Sequence, residues 1–202
     1  MYLENSLEDY LAEIYRLEEA YGYARVGRLA KELGVSPATV SKMIRKLEKM
    51  GLVKKTVEKK IKLTEKGKEA ARKLIDKHLV VEEVLMEVLG IDYADAHAIA
   101  HYLEHIPDSL LEKIKAKVPE ASHRSAIEGT KLSDVGENSA CRVVAFNDLK
   151  SLFRFLSKHG ISKGSRLFVK SKTAYYLEVF HENKSLRIPL DIARLIRVEV
   201  IR

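Results

Sequence analysis

Apolar residues near the amino terminus recur at spacings of three and four, which is the period of an amphipathic helix. They predict one helix over residues 6–20, capped by Ser6, and a second over residues 26–33 that ends at Gly34. A third helix is predicted from Pro37 to about residue 50, because Ser36 is a good cap and proline suits the first helical position. Two helices joined by a tight glycine-containing turn form a helix-turn-helix unit.

The pattern after this unit changes to two short segments in which lysines alternate with apolar residues. Residues 52–56 and 60–64 predict two strands, and residues 57–59 form the tip between them. We interpret this hairpin as the wing of a winged helix-turn-helix domain.

The rest of the chain divides into a helical part and a part with the two-residue period of strands. Thr64 caps the first of three predicted helices, which cover residues 65–89, 92–106 and 109–117. Five strands are predicted beyond them, over residues 142–146, 165–170, 174–180, 185–189 and 195–201, with one helix over residues 149–158. Short, closely spaced strands favour a small SH3-like barrel.

The predicted fold is therefore mainly α with α+β parts, in three domains. The boundaries give a DNA-binding domain over residues 1–64, a helical domain over 65–120, a linker over 121–131 and an SH3-like domain over 132–202. The chain has no apolar run long enough for a membrane span, no evident secretory leader and only one cysteine, Cys141. We expect a cytoplasmic protein without a membrane partner.

Charge is distributed unevenly along the 202 residues. The net charge is +7, yet residues 25–62 alone carry 12 Lys and Arg against 3 Asp and Glu. Local basic excess on a winged helix favours double-stranded DNA as the partner. The candidate DNA-binding residues lie on the second and third helices and on the wing, and are Arg28, Ser36, Pro37, Ala38, Thr39, Ser41, Lys42, Arg45, Lys46, Lys59 and Lys60.

Four of the seven histidines lie between residues 78 and 105, and they have the spacing of a metal site. On a helix, His101, Glu104 and His105 would share one face, and His97 lies one turn earlier. His78 and Glu82 repeat the four-residue spacing upstream. Imidazole and carboxylate ligands without thiolate suit Mn(II) and Fe(II), and they do not exclude zinc or cobalt.

Two other functions fit parts of this pattern. Residues 101–105 match H-x-x-E-H, in which two histidines bind zinc and the glutamate is the general base of a peptidase. A winged-helix regulator that responds to a small molecule, without metal control, is the second alternative.

Four segments, taken in order, resemble the diphtheria toxin repressor family of iron- and manganese-dependent transcriptional repressors. They are residues 7–15, 36–51 and 77–82 and the motif His97-x-x-x-His101-x-x-Glu104-His105. The resemblance covers nearly the whole chain. The C-terminal segment of the chain is similar to the SH3-like domain of the family and to the small FeoA protein. It implies a homodimer that reads a palindromic operator.

The resemblance also implies two metal sites. The primary site takes Asp9 from the first helix together with His101, Glu104 and His105. The second site takes His78, Glu82 and His97. A metal at the primary site would join the first helix to the histidine-bearing helix and so orient the DNA-reading unit. The chain departs from the family at His101, where iron-type members have cysteine and manganese-type members have glutamate.

Overall fold

A computed structural model of the chain describes residues 5–116 and 129–201. The described residues form two compact units. The first contains residues 5–15 and 24–116, and the second contains residues 16–23 and 129–201. Helix α1 (Asn5–Tyr21) therefore contributes to both units. Among the described helices, none is long and apolar enough to cross a membrane.

The first unit begins with the predicted winged helix. Helices α2 (Val26–Leu33) and α3 (Pro37–Lys49) are joined by a turn in which Gly34 has a φ of 70°, a conformation that favours glycine. Ser36 caps α3 as predicted, because its side chain accepts a hydrogen bond from the Thr39 amide at 3.1 Å. The predicted cap at Ser6 is wrong, since α1 begins one residue earlier and includes it.

The wing consists of β1 (Val53–Lys55) and β2 (Ile61–Leu63), which pair antiparallel with Val53 opposite Leu63. Both strands are shorter than predicted, although the Thr56 amide still donates to the Lys60 carbonyl and the Thr64 amide to the Leu52 carbonyl beyond their ends. Ala24 adds an antiparallel bridge to Ile61, and this bridge ties the wing to the chain between α1 and α2.

Three helices follow the wing, namely α4 (Glu65–Glu87), α5 (Tyr93–Leu103) and α6 (Asp108–Lys115). The side chain of Thr64 caps α4 by accepting a hydrogen bond from the Gly67 amide at 3.1 Å. Helices α4 and α5 pack through buried residues at their facing sides, which are Val81, Leu85, Ala96 and Ala100.

Helix α5 ends at Leu103, three residues before the predicted end. Glu104 and His105 lie in the turn that follows, so the prediction that they continue the helix is wrong. Because the chain changes direction there, His101 and His105 need not share a helical face.

In the second unit, the described strands form a six-stranded antiparallel sheet in the order β3-β8-β4-β5-β6-β7. The five predicted strands are present with shifted bounds, as β4 (Ser139–Phe146), β5 (Arg166–Lys172), β6 (Tyr176–His181), β7 (Lys184–Pro189) and β8 (Ile196–Ile201). Helix α7 (Lys150–His159) follows β4 as predicted. The core of this unit is formed by alternate strand residues that are almost fully buried, including Val143, Leu167, Val169, Leu177, Val179, Ile188 and Val198.

Three short elements were not predicted, namely β3 (Thr130–Lys131), a 3-10 turn (Leu132–Asp134) and α8 (Leu190–Ala193). Strand β3 pairs with β8 and lies at the end of the predicted linker, while residues 117–128 lie outside the described part of the chain. The end of α1 belongs to this unit, where Glu19 Oε1 lies 2.6 Å from Arg197 Nη2.

Candidate metal centre and nucleic-acid interface

Asp9, Glu104 and His105 form one group of metal-ligand atoms in the first unit, here called the Asp9 cluster. Each residue offers a ligand atom, and these atoms lie within 4.8 Å of one another. The shortest contact joins His105 Nε2 to Asp9 Oδ1 at 2.9 Å, between residues 96 positions apart in the sequence. Helix α1 supplies Asp9 and the turn after α5 supplies the other two, so the cluster connects these two parts of the unit.

His78, His97 and His101 form a second group, here called the imidazole cluster. Their ligand nitrogens lie within 4.8 Å of one another, and their ring centroids are separated by 4.6 to 4.9 Å. Glu82 borders this cluster, with its Oε2 atom 3.0 Å from His97 Nδ1 and 3.3 Å from His78 Nε2. Helix α4 carries His78 and Glu82 one turn apart, and α5 carries His97 and His101 in the same way, so the two helices face each other with these side chains.

Glu104 belongs to the Asp9 cluster and also contacts the imidazole cluster. Its Oε2 atom lies 2.8 Å from His78 Nδ1, and its Oε1 atom lies 3.6 Å from His101 Nδ1. Both His78 and Glu104 are buried. The two clusters are therefore joined through one carboxylate.

The buried carboxylates stay ionised because imidazoles surround them. Burial raises the pKa of Glu104, but the hydrogen bonds from His101 and His78 and the charges of these two rings lower it more, to a net pKa of about 2. Burial likewise raises the pKa of Glu82, and His78 and His97 lower it to below its ordinary value. At neutral pH both groups are anionic, which is the form that binds a metal ion.

The structure brings together the seven residues proposed from the sequence, with a different grouping. Asp9, Glu104 and His105 lie together, whereas His101 lies with His78 and His97 and touches the Asp9 cluster through Glu104. This grouping differs from the predicted one because α5 ends at Leu103. His101 lies on the helix and His105 lies in the turn after it, so their side chains point in different directions.

The donor set of both clusters fits a divalent transition metal. All donors are imidazole nitrogens or carboxylate oxygens, with no thiolate. His78, His97 and Glu104 are buried, whereas the Asp9 side chain is 43% exposed. The nitrogen–oxygen contacts of about 3 Å are hydrogen bonds that share protons, and a cation can replace these protons. Asp9, Glu104 and His105 would hold one ion, and the imidazole cluster with Glu82 would hold another.

One residue of this region was missed by the sequence analysis. Glu8 Oε2 lies 3.1 Å from His105 Nδ1, the ring nitrogen opposite the one that contacts Asp9. The signal in the sequence was the pair of adjacent carboxylates, Glu8 and Asp9. A helix places neighbouring residues about 100° apart, so the sequence alone does not predict that both contact one side chain. The position of the His105 ring in the structure shows that the Glu8 and Asp9 carboxylates both contact this ring.

The predicted DNA-binding residues lie on one helix-turn-helix unit and its wing. Most are exposed, while Ser41 and Lys60 are half-buried. Arg45 Nε donates a hydrogen bond to the Ser41 carbonyl at 3.3 Å, so its guanidinium lies along the surface of α3. At the wing, Lys60 pairs with Glu58 and Lys59 occupies the turn with a φ of 58°.

The helical part of the first unit also exposes large apolar side chains. They lie at the end of α4, in the segment after it, at the end of α5 and on α6, and are Val88, Leu89, Tyr102, Leu103 and Leu110. Tyr102 is 86% exposed and Leu89 is 62% exposed.

Comparison with protein families gives three matches along the chain. Residues 2–61 match "Iron dependent repressor, N-terminal DNA binding domain", and residues 64–124 match "Iron dependent repressor, metal binding and dimerisation domain". Residues 130–200 match the FeoA domain. The clusters described above involve residues of the first two matched regions.

Individual relatives cover the whole chain or its first half. The diphtheria toxin repressor of Corynebacterium glutamicum is 25% identical over 224 residues, covering 98% of each chain. The HTH-type transcriptional regulator MntR of Bacillus subtilis is 38% identical over 102 residues, covering 48% of this chain and 71% of the relative. The solved structure of the manganese regulator SloR superposes with a TM-score of 0.79 at 25% identity, covering 96% of this chain and 98% of that one.

Proposed function

Because the chain belongs to the diphtheria toxin repressor family of metal-dependent transcriptional repressors, we propose that it binds a palindromic operator as a homodimer when it holds Mn(II) or Fe(II). A member of this family is a regulator and not an enzyme, so the peptidase alternative is wrong. The geometry agrees, since His101 and His105 of the H-x-x-E-H motif belong to different clusters. The alternative of a regulator without metal control is wrong as well.

The observation that carries the proposal is the contact between Asp9 and His105. It joins α1, which belongs to the DNA-binding part, to the turn after α5, which belongs to the metal-binding part. A divalent ion here binds both sides at once and neutralises carboxylates that otherwise repel one another. If the ion binds only the arrangement that fits DNA, it shifts the population toward that arrangement.

The N-terminal end of α3 is suited to the major groove of DNA. Its first turn presents Pro37, Ala38 and Thr39, which are small enough to let the helix approach base edges and thymine methyl groups. Lys42, Arg45 and Lys46 would neutralise phosphates or contact guanine, and the lysines of the wing would reach the flanking backbone. These contacts make the affinity for DNA sensitive to salt.

The exposed apolar side chains around α5 support a dimer. A homodimer with a two-fold axis buries the same surface on both protomers, and it places two recognition helices on half-sites about one helical turn apart. We assign Leu89 and Tyr102 to the centre of this interface, because they expose the most apolar surface in this region.

The donors favour Mn(II) or Fe(II) as the physiological metal, and Zn(II) or Co(II) as ions that bind in vitro. Carboxylate-rich sites such as the Asp9 cluster suit Mn(II), whereas three imidazoles suit iron, zinc or cobalt as well. Among the relatives, SloR is named as a manganese regulator.

DNA selection from a random pool, repeated with and without Mn(II), tests the proposal. We expect the wild type to enrich palindromic sequences only when Mn(II) is present. The His105→Ala variant should not enrich them under either condition. His159→Ala, which changes a histidine of α7 outside both clusters, serves as the matched control and should select like the wild type. Selection of the same palindrome after exhaustive chelation would contradict metal control.

A further inference from the structure

His105 is held at both ring nitrogens by two consecutive residues of α1. Nε2 lies 2.9 Å from Asp9 Oδ1, and Nδ1 lies 3.1 Å from Glu8 Oε2. The His105 side chain is 17% exposed, whereas those of Glu8 and Asp9 are 31% and 43% exposed. The imidazole is therefore sandwiched between two carboxylates with different surroundings.

The two contacts make different demands on the ring. A neutral imidazole carries one N–H, which donates, and one bare nitrogen, which accepts or binds a metal. If Nδ1 carries the hydrogen, it donates to Glu8, and the lone pair of Nε2 points at the Asp9 carboxylate. A lone pair and a carboxylate repel each other at 2.9 Å unless a cation or a proton lies between them.

We propose that Glu8 is a positioning residue for the metal centre, which fixes His105 in the Nδ1–H tautomer and aims Nε2 at the ion held by Asp9. The proposal rests on the proposed function insofar as Asp9 and His105 bind the metal. Carboxylates that accept the second N–H of a metal-binding histidine orient the ring and increase the basicity of its free nitrogen. Glu8 would act in this way without binding the ion itself.

The geometry favours this role over that of a further ligand. Glu8 meets the Nδ1 side of the ring, and Asp9 meets the Nε2 side, so an ion at Nε2 lies across the ring from the Glu8 carboxylate. The group of possible ligands that lie within 4.8 Å of one another contains Asp9, Glu104 and His105 and does not include Glu8. Helix α1 therefore supplies both the candidate ligand Asp9 and the residue Glu8 that would orient the His105 ring.

Calorimetric titration with Mn(II) of the full chain and four variants tests the proposal. Glu8→Ala should weaken binding by about 10- to 100-fold, the usual loss for an outer-shell partner of a metal-bound histidine. Glu8→Gln should recover much of this loss, because its amide oxygen can still accept the Nδ1 hydrogen. Asp9→Asn should lose more than either, and Glu69→Gln on α4, whose carboxylate lies near Lys73, should behave like the wild type.

Nitrogen-15 NMR of the His105 ring provides a second readout that a general loss of structure would not imitate. We expect Nδ1 to carry a hydrogen in the wild type, both metal-free and with diamagnetic Zn(II), and to carry it only in part of the molecules in metal-free Glu8→Ala. The metal-free spectrum tests Glu8 without relying on the metal response, so this inference and the proposed function can fail separately.

Two results would overturn the proposal. Unchanged Mn(II) affinity in Glu8→Ala, or an Nδ1 atom without a hydrogen in the wild type, would show that Glu8 does not orient His105. Equal losses in Glu8→Gln, Glu8→Ala and Asp9→Asn would show instead that Glu8 is a direct ligand.

Discussion

The Nδ1 atom of His78 lies 2.8 Å from Oε2 of Glu104, and both side chains are buried. His78 belongs to the imidazole cluster and Glu104 to the Asp9 cluster, so this hydrogen bond is the shortest connection between the two candidate metal positions. A carboxylate shared in this way allows the occupancy of one position to influence the other.

Replacement of Glu104 should therefore weaken metal binding at both candidate positions. In Glu104→Gln we expect Mn(II) affinity to fall by more than about 100-fold, because an anionic ligand is lost and outer-shell losses alone reach this range. Calorimetry measures the affinity and the number of ions bound. His97→Ala is the matched variant, and it should reduce binding at the imidazole cluster alone. A Glu104→Gln protein that keeps one unperturbed position would contradict the shared role.

The low pKa of Glu104 predicts a pH dependence of stability in the metal-free protein. Its pKa is about 2 in the folded chain against an ordinary value of 4.5, so its ionised form stabilises the folded state above pH 4.5. This contribution is lost as the pH falls from 4.5 to about 2. We expect the difference in unfolding free energy between wild type and Glu104→Gln to shrink across this window by about 2–3 kcal/mol. Chemical denaturation at several pH values measures it, and a difference that does not change with pH would contradict the prediction.

Replacement of Arg45 should weaken DNA binding without changing the affinity for metal. It is exposed on α3, far along the sequence from either cluster, and its hydrogen bond among the described residues is to its own helix. In Arg45→Ala we expect DNA affinity to fall about tenfold and the slope of log affinity against log salt to decrease by about 1, the effect of losing one phosphate contact. Fluorescence anisotropy gives both quantities. Lys113→Ala on α6 removes an equal charge elsewhere and should leave the slope unchanged.

Gly67 should be intolerant of any side chain, because the first turn of α4 packs closely on the chain before the wing. A Cβ atom at this position would lie 2.0 Å from the Leu52 carbonyl oxygen, which is backbone and cannot rotate away. Gly67→Ala should lower the unfolding free energy by about 3 kcal/mol. Gly27→Ala meets no atom within 4 Å and is the control, expected to be neutral or slightly stabilising. Urea denaturation of both variants checks the contrast, and equal stabilities would refute it.

The sequence predicted the elements well where local chemistry decides them. Ser36, Pro37 and Gly34 define the turn of the helix-turn-helix because capping, a fixed φ and a positive φ are properties of single residues. Thr64 likewise marks the start of α4. The short β3 strand was missed because two residues give no alternating pattern, and only pairing with β8 makes it a strand.

The grouping of the metal ligands depends on tertiary structure, which the spacing of residues does not encode. His101 and His105 have ideal helical spacing, yet α5 ends between them at Leu103 without a glycine to mark the position. The contact of Glu8 with His105 joins positions 97 residues apart, and it depends on how α1 packs against the turn. The sequence therefore supplied the candidate ligands, while their partition into two clusters required coordinates.

The affinity for operator DNA, measured with and without Mn(II) in wild type and Asp9→Asn, tests the central claim most directly. If an ion joins Asp9 to His105 and thereby orients the DNA-binding unit, the wild type should bind DNA at least about tenfold more tightly with Mn(II), a coupling of about 1.4 kcal/mol. Asp9→Asn should bind with the weak affinity of the metal-free protein at every Mn(II) concentration. An Asp9→Asn protein that responds to Mn(II) like the wild type would contradict the account.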